Sequence, residues 1–425
     1  MEGRLFLAVP VMNEGAFLPA TLHSLTRQTL PPTRVYICVN QPDAWHEGTP
    51  AQRAVCRDNG ETLAWLRSFR ELPLTVLDRS TPGKGWQGKR SGAGWARKVL
   101  MDAIDADARD EDILVSMDGD TFYKPGYLEA VCDSLGAHPR ATALSAPFYH
   151  PLGPVEEQNR ALLRYELYMR HYFLNLLRID SPYAFLALGS TISLPVWAYR
   201  KVGGISPFKA GEDFYFLQKL AKVGRVLNAC ESVVYPAARL SDRVDFGTGP
   251  AILKGVSGSW GSYPFFPEKC FEHLRAAYDL FPLLFDGHRA TPLDPFLEDH
   301  FGTADLWTPL RKNFRTRSLF VRACHERIDG LRIRQYLGFC RKKDPHTLSD
   351  EEILMAFAIR HLPECPLRGL DFDKTPVADL DALRNAFFSL ELAVRAEQGA
   401  KGRVLQRPGS LPRPGRYSWP DGPRG

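Results

Sequence analysis

Two aspartates separated by a glycine follow a short apolar run in the first third of the chain. The run Ile113–Met117 is typical of a buried strand, and Asp118 and Asp120 come directly after it. In an open α/β sheet, ligands bind in the crevice outside the carboxyl ends of the strands. Two carboxylates there suit a divalent cation, Mn²⁺ or Mg²⁺, that bridges phosphates, and Gly119 would let a ligand approach the backbone. A solvated acidic turn is the plainer interpretation of the triplet alone.

A second acidic pair, Glu212 and Asp213, follows Gly211 at the start of a predicted helix over Phe214–Val223. Adjacent acids at a helix start usually cap it, because carboxylates accept the free amide hydrogens and favour the helix dipole. The pair alone therefore predicts a cap. The segment Gly189–Gly204 that precedes it gives the pair a second interpretation, described below.

The glycine-rich segment Gly83–Lys89 satisfies two nucleotide-binding patterns in its letters but not in its context. A Walker loop needs a hydroxyl residue after the lysine, and Arg90 stands there instead. A dinucleotide fingerprint needs an acid at the end of the next strand about twenty residues on, where this chain has a predicted helix. The backbone amides of the loop, with Lys84, Lys89 and Arg90, can still contact a nucleotide diphosphate.

Alternating strand and helix patterns in the first half predict an α/β fold, a mostly parallel sheet with helices on both faces. Beyond about residue 265 the alternation gives way to helical segments such as Glu351–Arg360 and Ala382–Glu397. We therefore expect one α/β domain in two halves, 1–120 and 121–264, and a helical C-terminal region over 265–405. The stretch 406–425 is dense in Pro, Gly and Arg and is expected to be a disordered tail.

The composition is that of an ordinary globular protein, with 425 residues, 44% apolar side chains and a net charge of +5, and it gives no support for nucleic-acid binding. Basic residues recur over 311–343, a pattern that fits a solvated helix face and leaves attraction to anionic substrates or peripheral contact with lipid headgroups open. The eight cysteines form no Cys-x-x-Cys pair, so neither a zinc site nor a disulfide framework is predicted. No signal peptide or transmembrane segment is predicted, and a cytoplasmic location is expected.

Five short motifs occur in an order that one enzyme family has. They are Val9–Glu14, Leu22-x-x-Leu25-x-x-Gln28, Met117–Asp120, Gly189–Gly204 and Gly211–Asp213. Over roughly residues 4–245 the chain resembles the inverting glycosyltransferases of family 2, which have the GT-A fold. The resemblance implies that the first half binds a nucleotide-sugar donor, that the second binds the acceptor, and that one sugar moves to an acceptor hydroxyl.

The resemblance also implies roles for single residues. It assigns a divalent cation to Asp120, places Asp118 near the metal and the ribose, and makes Asp213 the general base, with Glu212 beside it. This division suits the chemistry, since one carboxylate takes the acceptor proton while the metal stabilises the departing diphosphate. The other expected donor contacts are Pro10, Asn13, Glu14, Asn40, Lys89, Arg90 and Arg243.

The chain departs from the family pattern at three places. Asn40 stands where the family usually has an acid that reads the base, which leaves the nucleotide open. The Gln-x-x-Arg-Trp motif of processive synthases is absent, which predicts single-sugar transfer to a saccharide, lipid-linked or small-molecule acceptor. No histidine is evident as a third metal ligand, and Arg243 in the corresponding region is either a diphosphate contact or part of a surface turn.

Two other functions stay open at this stage. The lysine-bearing glycine loop is compatible with a nucleotidyltransferase that makes nucleotide-sugars, although Val9–Met12 lacks the basic residue that would activate a triphosphate. A non-catalytic module that binds a nucleotide-sugar or a partner protein is the other alternative. Loss of the acids would be expected in such a module, and both acidic pairs are intact.

Overall fold

The computed structural model describes residues 3–88, 90–208, 211–238, 248–256, 258–303, 305–343 and 348–401. The strands are β1 (Leu5–Val11), β2 (Arg34–Asn40), β3 (Leu74–Arg79), β4 (Ile113–Ser116), β5 (Thr121–Tyr123), β6 (Ala143–Ser145), β7 (Ile192–Pro195), β8 (Val226–Leu227) and β9 (Val234–Pro236). The helices are α1 (Leu18–Thr26), α2 (Pro50–Ser68), α3 (Ala93–Asp107), α4 (Tyr127–Ala137), α5 (Glu156–Arg178), α6 (Val196–Lys201), α7 (Glu212–Val223), α8 (Thr248–Val256), α9 (Glu268–Leu284), α10 (Asp294–Phe301), α11 (Trp307–Asn313), α12 (Arg317–Arg327), α13 (Gly330–Lys343), α14 (Asp350–His361) and α15 (Val377–Lys401).

Seven strands form one mixed sheet in the order β3-β2-β1-β4-β7-β6-β8. β1 runs parallel to β2 and β4, and β2 runs parallel to β3. β7 is antiparallel to both β4 and β6. Because β1, β2 and β4 are parallel neighbours, their carboxyl ends meet at one edge of the sheet. Helices flank the sheet and others follow it in the chain, which confirms the predicted α/β class with a helical C-terminal region.

The parallel strands are continuous apolar runs because both of their faces are covered. Every residue of Leu5–Val11 is buried, and so is every residue of Ile113–Ser116. A smaller antiparallel pair, β5 with β9, lies directly after the Asp118–Asp120 segment. The amide of Ala237 donates to the backbone carbonyl of Asp120 over 3.0 Å, so this pair fixes the backbone that carries the acid.

Helix α2 begins at Pro50, three residues before the start at Arg53 that the apolar pattern predicts. Thr49 and Gln52 form a capping box, in which the Gln52 amide donates to the Thr49 hydroxyl over 3.3 Å and the Thr49 amide donates to Gln52 Oε1 over 2.8 Å. The two bonds satisfy amides that would otherwise lack partners at the helix start. Apolar periodicity misses this turn because the helix start is set by the polar side chains of Thr49 and Gln52.

The last helix, α15, is tied to α5 by ion pairs that water does not reach. Glu391 pairs with Arg170 and with Arg395, the latter over 2.7 Å, and none of these side chains is more than 1% exposed. Glu166 accepts from Arg170 over 3.0 Å and lies 3.5 Å from Arg384. Burial opposes ionisation of Glu166, but the charges of Arg170 and Arg384 outweigh it and hold the pKa of this carboxyl below its usual range. The helical region therefore shares a charged core with the α/β region.

The structure pairs Cys270 of α9 with Cys340 of α13 as a disulfide whose Cα atoms are 5.9 Å apart. The sequence predicts no disulfide framework, and for this pair the expectation is wrong. The two residues are 70 positions apart, so only the packing of the two helices brings them together. Among the described helices, none combines the length and the apolar character needed to cross a membrane.

Candidate functional site

A cavity of about 490 Å³ lies at the sheet edge where β1, β2 and β4 end. Both acidic pairs line it, although Asp120 and Asp213 are far apart in the sequence. The predicted site residues that line it are Pro10, Glu14, Asn40, Asp118, Asp120, Glu212 and Asp213. Topology explains the convergence, because Asp118 and Asp120 follow β4 at the edge and α7 brings its own first turn to the same place.

Arg97 of α3 connects the two acidic pairs. Its Nη2 donates to Asp118 Oδ1 over 2.5 Å, and its Nε donates to Glu212 Oε1 over 3.3 Å. Its Nη1 also donates to the Ser116 hydroxyl over 2.6 Å. Burial opposes the charge of this guanidinium, but Asp118 and Glu212 outweigh it and raise the pKa of Arg97. Arg97 is therefore charged and fixes both carboxylates.

Sequence reasoning missed Arg97, although a signal is present. Helix α3 buries one face made of Ala96, Arg97, Leu100, Met101 and Ile104, so the arginine stands on an apolar stripe. A charged residue on a buried face needs a partner. Gly189 leaves the space that the Arg97 side chain occupies, because a Cβ there would lie 1.9 Å from Arg97 Nη2.

Asp118 and Asp120 are the described residues best suited to a divalent cation. The described ranges contain no group of three or more His, Cys, Asp or Glu placed to hold a metal. Two carboxylates are nevertheless a donor set that Mg²⁺ takes when substrate phosphates and water supply the other ligands. The residues present therefore fit a cation that binds together with a diphosphate, and the expected third protein ligand is not needed for this chemistry.

Gly119 has a different role from the one its position predicts. A Cβ at Gly119 would lie 2.5 Å from Glu14 Oε2 and 3.2 Å from Val11 Cγ2. The missing side chain therefore makes room for Glu14, which is buried and lines the cavity. The Thr21 hydroxyl of α1 donates to the Gly119 carbonyl over 2.9 Å and so holds the backbone of the turn in place. The turn between the two aspartates is thus packed against protein.

Asp213 is not the residue that caps α7. The cap position is Gly211, whose φ of +73° is left-handed and favours glycine, and no side chain bonds the free amides from there. Within the described ranges, Asp213 Oδ1 accepts one hydrogen bond, from the amide of Phe214 over 2.7 Å. Burial, with the charge of Glu212 added to it, raises the pKa of Asp213 from 3.8 to about 7. A carboxylate with a pKa near neutrality is suited to general-base work.

Glu212 differs from its neighbour because it is ion-paired. Burial raises the pKa of Glu212, and the Arg97 guanidinium opposes that shift. Its carboxylate is 8% exposed and is bonded to Arg97. Of the two acids, Asp213 is therefore the one to which no cation of the described residues is bonded, and it is the better placed to accept a proton.

Asn40 and Pro10 line the cavity at the ends of β2 and β1. The Asn40 side chain is already engaged, since its amide nitrogen donates to the Val11 carbonyl over 2.9 Å and its oxygen accepts from Trp86 Nε1 over 2.9 Å. These bonds tie the glycine-rich segment to the sheet edge. That Asn40 contacts the nucleobase of the donor stays a prediction.

Two other predicted donor contacts that the structure describes, Asn13 and Arg90, do not line the cavity. Asn13 is exposed in a left-handed turn with φ of +55°, a conformation that asparagine tolerates. The Arg90 guanidinium lies 5.6 Å above the ring of Trp95 and is exposed. Lys89 and Arg243 lie outside the described residues, as does the expected tail at 406–425.

The amides of the glycine-rich loop hold a carboxylate of the protein itself. The amides of Gly83 and Gly85 donate to Asp43 Oδ1 over 2.8 and 3.3 Å, and Gln87 Nε2 donates to Asp43 Oδ2 over 3.1 Å. Lys84 Nζ lies 3.1 Å from Asp78 Oδ2. These amides do bind an anion, as their chemistry predicts, but the anion is the Asp43 carboxylate of the protein itself. The described loop is therefore not an open phosphate cradle.

Aromatic side chains form a second part of the cavity lining, the aromatic end, which begins beside Asp213 with Phe214. Helix α5 presents tyrosines there at helical spacing, and the segment after it and α7 add further rings. The aromatic lining residues are Tyr165, Tyr168, Tyr172, Tyr183, Phe185, Phe214, Tyr215 and Tyr263. Arg334 of α13 is the basic residue at this end. One cavity thus has an acidic end and an aromatic end.

No protein-family model matches the sequence, and neither does any curated protein. Among solved structures, residues 1–349 of S. aureus TarS in complex with UDP-GlcNAc align at 14% identity over 76% of this chain and 91% of that chain, with a TM-score of 0.39. The mannosyltransferase PcManGT from Pyrobaculum calidifontis, in complex with GDP-Man and Mn²⁺, aligns at 15% identity over 95% and 88%, with a TM-score of 0.36. GalNAc-T7 with UDP, GalNAc and Mn²⁺ aligns at 14% identity over 70% and 54%, with a TM-score of 0.37. These similarities are distant, and the sheet topology and the cavity carry the functional assignment.

Proposed function

We propose that this protein is a metal-dependent, inverting glycosyltransferase of the GT-A fold that resembles family 2. It transfers one sugar from a nucleoside-diphosphate donor to the hydroxyl of an acceptor. The observation that carries the proposal is the convergence of Asp118, Asp120 and Asp213 on one cavity, with Arg97 joining the two acidic segments. Five sequence motifs in family order support it, and residues from four of these motifs line the cavity.

The donor occupies the end of the cavity formed by β1, β2 and β4. Pro10, Glu14 and Asn40 line that end, and Asp118 and Asp120 would hold a divalent cation there. When bound, such a cation neutralises charge on the diphosphate leaving group. The hydrogen bond from Arg97 to Asp118 Oδ1 holds the Asp118 carboxylate in one orientation. Because Asn40 stands where an acid would read the nucleobase, the identity of the donor's nucleobase is left open.

Asp213 takes the proton of the attacking acceptor hydroxyl. Its raised pKa keeps it a competent base near neutral pH, and its bond to the Phe214 amide holds one carboxylate oxygen in place. Direct attack opposite the leaving group inverts the sugar centre and requires donor and acceptor in one cavity. The aromatic end beside Asp213 supplies the acceptor space.

The two rival functions receive less support. A nucleotidyltransferase would use the amides of the glycine-rich loop for a triphosphate, and Asp43 already occupies the amides of Gly83 and Gly85. A non-catalytic binding module has no need for a buried acid whose pKa is raised to about 7 beside the aromatic end. Perturbed carboxylates in a cleft favour an enzyme.

A panel of nucleoside diphosphates tests the proposed donor class. The purified protein is heated with each nucleotide in the presence of Mn²⁺, Mg²⁺ or EDTA, and its melting temperature is recorded. We expect at least one nucleotide to raise the melting temperature with a divalent cation and not with EDTA, because a ligand that binds only the folded state stabilises it. Protection that is independent of metal, or no protection by any nucleotide, would count against the proposal.

A further inference from the structure

Arg334 on α13 lines the aromatic end of the cavity, and no carboxylate of the described residues is bonded to it. Among the described residues it donates to the Tyr168 hydroxyl and, over 2.6 Å, to the Ser262 carbonyl. Two other arginines of the basic run 311–343 are ion-paired, Arg322 with Glu326 over 2.8 Å and Arg341 with Asp350 over 2.7 Å. Arg334 differs from them, since it faces a cavity and has no partner anion within the described part of the chain.

Phenol groups surround this guanidinium. Its Cζ lies 6.0 Å from the ring centre of Tyr168, and the Tyr263 ring is 5.6 Å from Tyr168. The Tyr263 residue is 6% exposed, and its hydroxyl has no hydrogen-bond partner among the described residues. A buried hydroxyl without a partner costs free energy unless a ligand satisfies it. The cation and the hydroxyl together form an incomplete polar site in an aromatic wall.

The site shares its cavity with the proposed base, Asp213. Tyr165 also lines this cavity, and its ring is 5.1 Å from that of Tyr263. Burial raises the pKa of the Tyr165 phenol, neighbouring tyrosines and Asp213 raise it further, and Arg334 lowers it. The phenol therefore lies within electrostatic range of both charged groups. Arg334 and Asp213 line one cavity of about 490 Å³, a volume within the range of small-molecule sites.

We propose that Arg334 binds an anionic group, a phosphate or a carboxylate, on the acceptor saccharide or polyol whose hydroxyl is presented to Asp213. The inference depends on the proposed transfer function and adds the acceptor class to it. A guanidinium donates two parallel hydrogen bonds to either oxyanion, which fixes orientation as well as charge. Tyrosine rings supply the apolar contact for the sugar ring and the hydroxyls for its polar edge. An uncharged acceptor would leave Arg334 without an anion.

Matched sugars test the proposal directly. Glucose, glucose 6-phosphate and glucuronate are titrated by calorimetry into protein that is saturated with the preferred nucleoside diphosphate and Mn²⁺, so that the donor end is filled. We expect both anionic sugars to bind at least about tenfold more tightly than glucose, the scale of one charge-assisted contact. The relative affinities of the phosphate and the carboxylate then identify which anion the site prefers.

Three variants assign the effect to the residue. Arg334→Gln should remove the preference for anionic sugars, and Arg334→Lys should retain part of it. Arg332→Gln, which removes the same charge from the same helix outside the cavity, should behave as wild type. Equal binding of the three sugars to wild type would overturn the proposal, as would a preference that survives Arg334→Gln.

The failure of this inference can be told apart from a failure of the proposed function. If Arg334→Gln weakens the nucleoside diphosphate and leaves the sugars unchanged, Arg334 belongs to the donor and the acceptor assignment is wrong. If the nucleotide shows no metal-dependent binding in any variant, the transfer function itself is wrong. The melting temperature of each variant identifies a loss caused by misfolding.

Discussion

Replacing Asp213 with Asn is expected to lower the rate of sugar transfer by about a hundredfold or more, the scale of general acid–base assistance. Asn keeps the shape of the side chain and an oxygen that can accept from the Phe214 amide, so the helix start is preserved. Only the capacity to take the acceptor proton is removed. Turnover is measured as release of the nucleoside diphosphate, and binding of donor and metal should persist. Near-normal turnover would leave Asp213 a structural residue and direct the search for the base to Glu212.

The pH dependence gives this prediction a second readout. Because a base must be unprotonated, the wild-type rate should rise with pH through about 7, and this limb should be absent in Asp213→Asn. The folded protein holds the Asp213 proton more tightly than the unfolded chain does, so between about pH 4 and 7 ionisation favours unfolding. Asp213→Asn should therefore be at least as stable as wild type at neutral pH. Asp379→Asn, an exposed acid in the first turn of α15, is the matched control and should change neither rate nor pH profile.

Glu391→Ala is expected to destabilise the fold by about 3–5 kcal/mol, the usual loss when one partner of a buried ion pair is removed. The change leaves Arg170 and Arg395 buried with less compensation, and both are at most 1% exposed. Arg170 belongs to α5 and Arg395 to α15. The loss of stability should therefore appear as one cooperative unfolding transition whose urea midpoint is lower than that of wild type. A selective loss of α15 with the rest intact would contradict the shared charged core.

An exposed pair provides the control for that measurement. Arg275 and Asp279 form an ion pair of the same helical spacing with side chains 44% and 61% exposed. Asp279→Ala should cost less than about 1 kcal/mol, because water already solvates both charges. Glu391→Gln keeps the side-chain shape and removes the charge, so its free energy of unfolding separates packing from electrostatics. Equal effects of Glu391→Ala and Asp279→Ala would show that burial of the network contributes nothing.

The sequence predicted the parts of this structure that rest on local periodicity. The strands Leu5–Val11 and Ile113–Ser116 are buried apolar runs, and their pattern is visible without any partner. The rule that parallel strands end at one edge predicted the position of Asp118, whereas the role of Asp213 was implied only by the resemblance. What the sequence could not predict are contacts between distant segments. Arg97 with Glu212 and Arg170 with Glu391 depend on packing that no local pattern encodes.

Two glycine-containing segments show why a sequence motif alone does not establish a ligand-binding site. The loop Gly83–Lys89 has amides suited to an anion, and the anion that fills them, on Asp43, comes from a turn forty residues earlier. Gly119 reads as space for a ligand, and Glu14 takes that space. In both cases the chemistry expected of the backbone is present, and a side chain from elsewhere in the chain satisfies it. Such substitution of a protein group for a ligand is visible only in the folded molecule.

The most direct test of the account is the metal dependence of nucleotide binding in Asp120→Ala. Calorimetry measures the affinity of the preferred nucleoside diphosphate with Mn²⁺ and with EDTA, in wild type, in Asp120→Ala and in Asp133→Ala, which removes an exposed acid from α4. The account predicts that Mn²⁺ strengthens binding to wild type and to Asp133→Ala and has no effect on Asp120→Ala at an unchanged melting temperature. Metal-dependent affinity that survives in Asp120→Ala would contradict it.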